Sequence, residues 1–222
     1  MSAPGYPSVT VWTMTRIRLR SVAEPLDRPE AAWEAVRFLT TAEALGLLPA
    51  SLESVETLDL PVVRAVLKEA GTAGVGRRAM AEAESRREAD SEGWLDVLVH
   101  ANDALAESPI PERTWPVLAG VLGVDLLARL LGVAPASARR YLTGGRITPD
   151  VVADRLHFVA LVVGDLAGSY NDFGVRRWFV RRRAQLEGKA PADVLARDWS
   201  PDDAGPRAVR ALATRLVDAM AS

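Results

Sequence analysis

The sequence predicts a mainly α protein in which a helix-turn-helix is followed by a small helical module and preceded by a helical region that carries a short β element. Apolar residues recur at helical spacing along most of the chain, and proline and glycine residues separate the apolar segments. Between Val124 and Thr143 this spacing describes two short helices joined at Gly132. One candidate strand lies near the amino terminus.

The candidate strand and the first helix open the amino-terminal region. Over Val9–Val22 the apolar residues partly alternate, which predicts a small hairpin or an arm. Asp27 and Glu30 enclose Pro29 with the spacing of a capping box, which predicts the start of a helix. Gly46 is the natural stop of that helix.

Further helices fill the region up to a pair of prolines. Leu60–Ala70 places its valines and leucines on one face and predicts a second helix. Residues 77–90 almost lack an apolar stripe, which predicts an exposed helix or a mobile connector. Ser91 can cap the next helix, and Glu107–Arg113 contains two prolines and marks a boundary. We therefore divide the chain into an acidic, mostly helical region (1–113), a helix-turn-helix region (114–170) and a carboxy-terminal module (171–222).

The helix-turn-helix has a recognisable residue pattern. A small residue on the first helix admits the second helix, and a glycine four positions later makes the turn; Ala128 and Gly132 have these places. Pro135 can begin the second helix, because the N–H at that position has no partner within the helix. A plain core hairpin has the same pattern, so the motif alone leaves both interpretations open. The apolar residues that would lock both helices are Leu127, Leu131, Val133, Ala138 and Tyr141.

The second helix leaves polar side chains on faces that can meet DNA. Arginine forms bidentate hydrogen bonds with guanine in the major groove, and hydroxyl groups suit phosphates. Paired half-sites compensate for the small footprint of one helix, which predicts a homodimer. We predict contacts with double-stranded DNA at Ser137, Arg139, Arg140, Thr143 and Arg146.

The formal net charge of −2 hides an uneven distribution. Residues 1–128 hold 12 basic and 19 acidic side chains, whereas residues 129–189 hold 11 basic and 5 acidic ones. Positive charge therefore concentrates on and after the predicted recognition helix, as phosphate contacts require, although a solvated charged face is the alternative. The acidic first half argues against a second DNA-binding surface and favours dimerisation, docking or shielding.

Composition and motifs weigh against an enzyme or a membrane protein. The chain has no cysteine, which excludes disulfides, thiolate metal sites and cysteine nucleophiles. No apolar run approaches the roughly 20 residues of a membrane span, and arginine outnumbers lysine 25 to 2 as in GC-rich bacterial genomes, so we expect a cytoplasmic bacterial protein. His100 and His157 lie outside any catalytic or metal-binding motif, and we expect no enzymatic activity, metal or cofactor. A site made only of carboxylates leaves no local signature and stays open.

The second half of the chain carries its motifs in a distinctive order. The segment after Pro149 is apolar on most sides and predicts a buried helix from Asp150 to about Ser169. Trp178 and Phe179 follow among five arginines. Next come Gln185-Leu186, the run GKAPADVL over 188–195, and a last helix bearing Val209, Leu212 and Leu216.

With the helix-turn-helix, these motifs over about residues 124–219 resemble the MbcA/ParS/Xre family of bacterial antitoxins. Arg182, Arg183 and Glu187 depart from the family, which usually has proline, asparagine and glycine at these places. The resemblance covers less than half of the chain and explains nothing of residues 1–113.

The resemblance implies an antitoxin that neutralises a RES-type toxin, which consumes NAD, and that represses its own operon through the helix-turn-helix. Members of the family bind the toxin with the carboxy-terminal module. A stand-alone helix-turn-helix regulator or architectural DNA-binding protein is the alternative, and an interaction scaffold is a third possibility. The toxin contacts that the resemblance implies are Trp178, Arg183, Leu186, Pro191, Leu212 and Leu216, although such a last helix often packs internally.

Overall fold

The computed structural model describes residues 17–52 and 54–218, except for the side chains of Arg18 and of residues 216–218. This part of the chain holds two strands and eleven α-helices, which confirms the mainly α class with a short β element. A short 3-10 helix, Ala184–Leu186, lies between α9 and α10. In chain order the elements are β1 (Ile17–Val22), α1 (Pro29–Ala44), β2 (Val55–Leu58), α2 (Leu60–Thr72), α3 (Arg77–Ser85), α4 (Ser91–Glu107), α5 (Pro111–Leu122), α6 (Val124–Leu131), α7 (Pro135–Leu142), α8 (Asp150–Ala167), α9 (Asp172–Val180), α10 (Pro191–Val194) and α11 (Ala204–Asp218).

Helix α8 is the centre of the core. Its side chains between Val152 and Leu166 are buried on nearly all sides. Helices α1, α5, α6, α9 and α11 all pack against it. A helix that is apolar all round has to be surrounded, so the buried helix predicted for this segment is confirmed. Gly164 admits α1 closely, since a Cβ at that position would lie 3.1 Å from the Cα of Thr41.

The strand prediction is only partly correct. The structure has a strand over Ile17–Val22, and residues 9–16 of the predicted segment lie outside the described residues. Within the described residues β1 pairs in parallel with β2, and α1 forms the crossover between them, a pairing that the predicted hairpin or arm did not include. The partner strand is only four residues long and remote in sequence, so no local alternation of apolar residues indicates the pairing.

Two helix starts differ from the sequence prediction. The capping box of Asp27 and Glu30 does not form, because α1 begins at Pro29 after Arg28 without a side-chain cap. The cap of α4 is Asp90 rather than Ser91, since the Asp90 carboxylate accepts a hydrogen bond from the Gly93 N–H at 3.0 Å. Both positions lie within one residue of the predicted cap, which is the usual uncertainty of a helix boundary.

Helices before and after the predicted boundary at Glu107–Arg113 contribute to one core. Helix α1 packs against α4 and also against α8. At the first of these contacts, the Asn102 side-chain amide donates to the backbone oxygen of Glu34 at 3.0 Å. The hydrophobic core is continuous from Leu26 to Ala213. The acidic first region therefore packs against α5 and α8 of the helix-turn-helix region rather than standing apart from it.

The junction of α5 and α6 is sharply bent. The two helices meet at Gly123 and enclose a bend of 118°. They are therefore separate helices despite their combined apolar length. Within the described ranges, no single helix is long and apolar enough to cross a membrane.

Candidate nucleic-acid interface

Helices α6 and α7 form the predicted helix-turn-helix. Gly132 has a φ of +68°, which lets the chain reverse at the end of α6 without steric cost. The N–H groups of Gly132 and Val133 donate back to the carbonyl groups of Arg129 and Ala128, at 3.2 and 3.0 Å. Pro135 is the first residue of α7. The turn therefore forms from the residues that the sequence assigned to it.

One side of the helix pair is locked into the core. Ala128 and Ala138 are fully buried, and Tyr141 is buried against α5. The Tyr141 ring lies 5.7 Å from the Trp115 ring, measured between centroids. The Trp115 indole N–H donates to the Thr148 hydroxyl at 3.0 Å, which ties the segment after α7 to α5. Helix α7 is consequently held along one whole side.

The other side of α7 is open. Arg139, Arg140, Thr143 and Arg146 are exposed, and Ser137 is half-buried. These are the five residues predicted to contact DNA, and the fold places them on or just after α7. A surface helix normally carries polar residues on its outer face, so a DNA-reading helix and a plain core hairpin share this exposure.

The polar groups on this face have weak local partners. Arg139 donates to the Asp125 carboxylate at 3.2 Å, but both side chains are more than half exposed. The Thr143 hydroxyl donates to the backbone oxygen of Arg139 at 3.0 Å. The Arg146 guanidinium lies 5.6 Å from the centre of the Tyr141 ring. An exposed ion pair contributes at most about 1 kcal/mol, so Arg139 can exchange its partner at small cost.

The end of α6 is also held by residues from far along the chain. The Trp199 indole N–H donates to the backbone oxygen of Leu130 at 3.0 Å. Arg155, on α8, is buried and donates to the backbone oxygen of Leu131 at 3.2 Å and to that of Trp199 at 2.7 Å. A further hydrogen bond joins Arg155 to the Asp198 carboxylate. Sequence reasoning missed these contacts, because the residues are 24 to 69 positions apart.

Three of the predicted toxin-contact side chains are buried. Trp178 is 2% exposed and packs edge-on against Phe179, with 5.2 Å between the ring centres. Leu186 and Pro191 are buried as well. Trp178 and Leu186 belong to the one hydrophobic core of the protein, so a partner on the surface does not reach these buried side chains without displacing other atoms. Their predicted direct contact therefore conflicts with their burial, since a module this small needs its largest apolar side chains inside.

The remaining predicted toxin contacts differ in position. Arg183 is half-buried, and its guanidinium lies 5.4 Å from the Trp178 ring. Leu212 is half-buried and packs against the core. The Leu216 side chain lies outside the described residues. The Arg183 guanidinium is itself partly buried, since its Nε is enclosed and has no hydrogen-bond partner among the described residues.

Helix α9 presents an apolar surface that sequence reasoning did not single out. Phe173 and Val180 are 64% and 52% exposed, and their spacing of seven residues puts them on one face. Arg177 lies between them on the same face and is exposed. Exposed Arg181 follows directly. We call Phe173, Arg177 and Val180 the α9 strip. The signal in the sequence was the i, i+4, i+7 spacing, which the neighbouring Trp178 and Phe179 obscured.

Two buried titratable groups belong to the core rather than to this surface. Burial raises the pKa of Asp165, an effect opposed by Arg210 and by the Thr214 hydroxyl, which donate to its carboxylate at 3.3 and 3.2 Å. Burial lowers the pKa of His157, whose Nε2 lies 2.9 Å from the backbone oxygen of Ala106. Both groups join α8 to a neighbouring helix.

Comparisons with known proteins do not extend this description. The chain matches no model of a protein family, no curated protein and no solved structure. The resemblance to the MbcA/ParS/Xre family therefore rests on the residues quoted above, on their order, and on the helix-turn-helix that they form.

Proposed function

We propose that this protein binds double-stranded DNA with the exposed face of α7 in the major groove. The observation that carries the proposal is the two-sided character of α7: one side is locked by Ala138 and Tyr141, and the other presents Arg139 and Arg140 to solvent. A rigid helix with open arginines is what direct readout of base edges requires. The concentration of basic residues over 129–189, rather than the exposure of this side alone, favours DNA binding over the scaffold alternative.

Each predicted contact has a chemical role. Arg139 and Arg140 pair with guanine O6 and N7, and Arg139 gives up its exposed pairing with Asp125 in doing so. Ser137 and Thr143 donate to phosphates, and Arg146 adds a backbone contact after the helix. The excess of basic residues over 129–189 supports association through the release of counterions. A homodimer places two such helices about one turn of DNA apart.

Selection of duplexes from a random pool by the purified full chain tests this proposal. We expect a recovered consensus, and Arg139→Ala with Arg140→Ala should weaken binding to it by at least about tenfold. Arg181→Ala with Arg182→Ala is the matched control, because it removes the same charge from exposed positions outside α7. The control should keep the ratio of specific to non-specific affinity. Equal effects of the two double variants would contradict the assignment to α7.

We further propose that the carboxy-terminal module binds and neutralises a RES-type, NAD-consuming toxin, so that the protein is an autoregulating antitoxin. The family resemblance suggests the partner, and the α9 strip is the surface that favours a protein partner here. Exposed Phe173 and Val180 provide an apolar centre, and Arg177 with Arg181 provides a basic rim, as protein interfaces commonly do.

Purification of the tagged chain from its host at low salt tests the toxin proposal. We expect a stoichiometric partner that consumes NAD once the antitoxin is denatured away. Phe173→Ser with Val180→Ser should release it, whereas Ile147→Ser with Val151→Ser should not. The control pair is also exposed and apolar, but lies just before and at the start of α8. Recovery of specific DNA without any toxin would instead identify a stand-alone regulator.

A further inference from the structure

The last carbonyl groups of α6 need partners from outside the helix. The final four carbonyls of any α-helix lack intrahelical donors. In α6 the carbonyls of Ala128 and Arg129 are satisfied by the turn itself, through the N–H groups of Val133 and Gly132. Leu131 would next be paired with residue 135, which is a proline and has no N–H. The turn sequence therefore leaves the end of α6 incomplete.

Residues from far along the chain supply the missing hydrogen bonds at the end of α6. The Leu130 carbonyl oxygen accepts a hydrogen bond from the Trp199 indole N–H, and the Leu131 carbonyl oxygen accepts one from the Arg155 guanidinium. Arg155 is 6% exposed and uses its other N–H groups on Trp199 and Asp198, so it fixes residues 198–199 and the turn together. The Trp199 ring is in turn held edge-on against Phe158, with 5.2 Å between ring centres.

The same chain segment also contacts the turn through its backbone. A Cβ on Gly132 would overlap the carbonyl oxygen of Arg197 and would lie 3.3 Å from Nη1 of Arg155. Arg197 has a φ of +135°, a strained value for a residue with a side chain. The segment thus keeps an unfavourable backbone conformation at the point where it touches the turn, and the hydrogen bonds of Arg155 and Trp199 hold it there.

We propose that Arg155 and Trp199 are positioning residues that hold the helix-turn-helix in its DNA-reading arrangement, through a latch formed with residues 197–199. The latch touches the hinge of the motif and not its exposed face. Release of the latch frees the end of α6 and lets α7 change its angle to α6, while the rest of the core stays packed. The DNA half of this inference rests on the proposed function, and the structural half does not.

Trp199→Phe tests the latch, with Trp94→Phe as its matched control. Both indoles are buried, and each donates one hydrogen bond to a backbone oxygen, that of Leu130 or of Arg87. The readout is hydrogen exchange of the Gly132 and Val133 amides in the free full chain, followed by affinity for the selected duplex. Both substitutions keep an aromatic ring, so similar losses of global stability are expected.

We expect Trp199→Phe to raise exchange at the two turn amides about fivefold, the equivalent of one net hydrogen bond, and to weaken specific DNA binding by a similar factor. Trp94→Phe should change neither quantity. Arg155→Lys keeps the charge but loses the planar fork, and should loosen the turn in the same way if Trp199→Phe does not fold. Equal exchange in the Trp199 and Trp94 variants, or unchanged turn protection in Arg155→Lys, would overturn the latch.

The two readouts separate this inference from the proposed function. Absence of specific DNA binding by the unaltered chain would refute the proposed function, while the exchange comparison would still decide whether the latch holds the turn. Faster exchange in Trp199→Phe with full DNA affinity would overturn the positioning role. Faster exchange with lower affinity supports it.

Discussion

A Gly132→Ala substitution measures how closely residues 197–199 press on the helix-turn-helix. Gly132 has a φ of +68°, at which a side chain costs about 1–2 kcal/mol. The new Cβ would also overlap the carbonyl oxygen of Arg197 and lie 3.0 Å from its carbonyl carbon. Backbone atoms cannot rotate away as a flexible side chain does, so the segment around Arg197 has to move away from the turn.

That retreat weakens the hydrogen bonds from Trp199 and Arg155 to the end of α6. One lost hydrogen bond costs about 1 kcal/mol, and more when a buried carbonyl is left without a partner. We therefore expect Gly132→Ala to lower the free energy of unfolding by about 3 kcal/mol. Gly144→Ala is the control, because Gly144 has a φ of +70° but nothing lies within 4 Å of its Cβ. The control should lose only the conformational cost, about 1–2 kcal/mol.

Urea denaturation followed by tryptophan fluorescence measures both losses. The free energies of unfolding are extrapolated to zero urea. They are compared between variants whose free energies depend equally steeply on urea concentration, because a changed slope would indicate a changed unfolded state. Losses in the two alanine variants that agree within about 0.5 kcal/mol would refute the close contact between the turn and Arg197.

Other substitutions test the core, the strained backbone and the α9 strip. Burial holds the pKa of His157 below the ordinary 6.5, so the unfolded chain binds the proton first and stability falls as the pH drops below about 6.5. When the pH is lowered from about 7.5 to about 5.5, the free energy of unfolding measured with urea should fall less in His157→Gln than in the unaltered chain. Equal falls in the two proteins would contradict this. Arg197→Gly relieves a φ of +135° and should raise the Tm in calorimetry by about 2–4 °C, whereas a lower Tm would show that the strain is absent. Phe173→Ser with Val180→Ser should leave the Tm within about 2 °C, because both side chains are more than half exposed, and should still abolish toxin co-purification; a retained complex would count against the α9 strip.

The helix-turn-helix could be predicted because its signals are local. Gly132 ends α6, Pro135 begins α7, and Ala128 admits the second helix, all within eight residues of sequence. The exposed positions of Arg139 and Arg140 on α7 follow from the same periodicity. The buried helix α8 was predictable for a related reason, since its apolar character on all sides leaves it no surface position.

The features that sequence reasoning missed depend on distant partners. The parallel pairing of β1 with β2 joins segments separated by α1. The hydrogen bond from Trp199 to Leu130 spans 69 residues. The assignment of toxin contacts to Trp178, Leu186 and Pro191 conflicts with the burial of these side chains in the module. A list of motif residues does not separate the residues that build a surface from those that lie on it, and packing decides between them.

The most direct test of major-groove reading by α7 replaces each guanine of the selected site with 7-deazaguanine. This change removes the N7 acceptor from the major groove and leaves base pairing and the minor groove unaltered. We expect at least one replacement to weaken binding of the unaltered chain by about fivefold or more, with no further loss in the variant lacking the Arg139 and Arg140 side chains. Full affinity for every replaced site would contradict the account, because α7 would then not be reading guanine in the major groove.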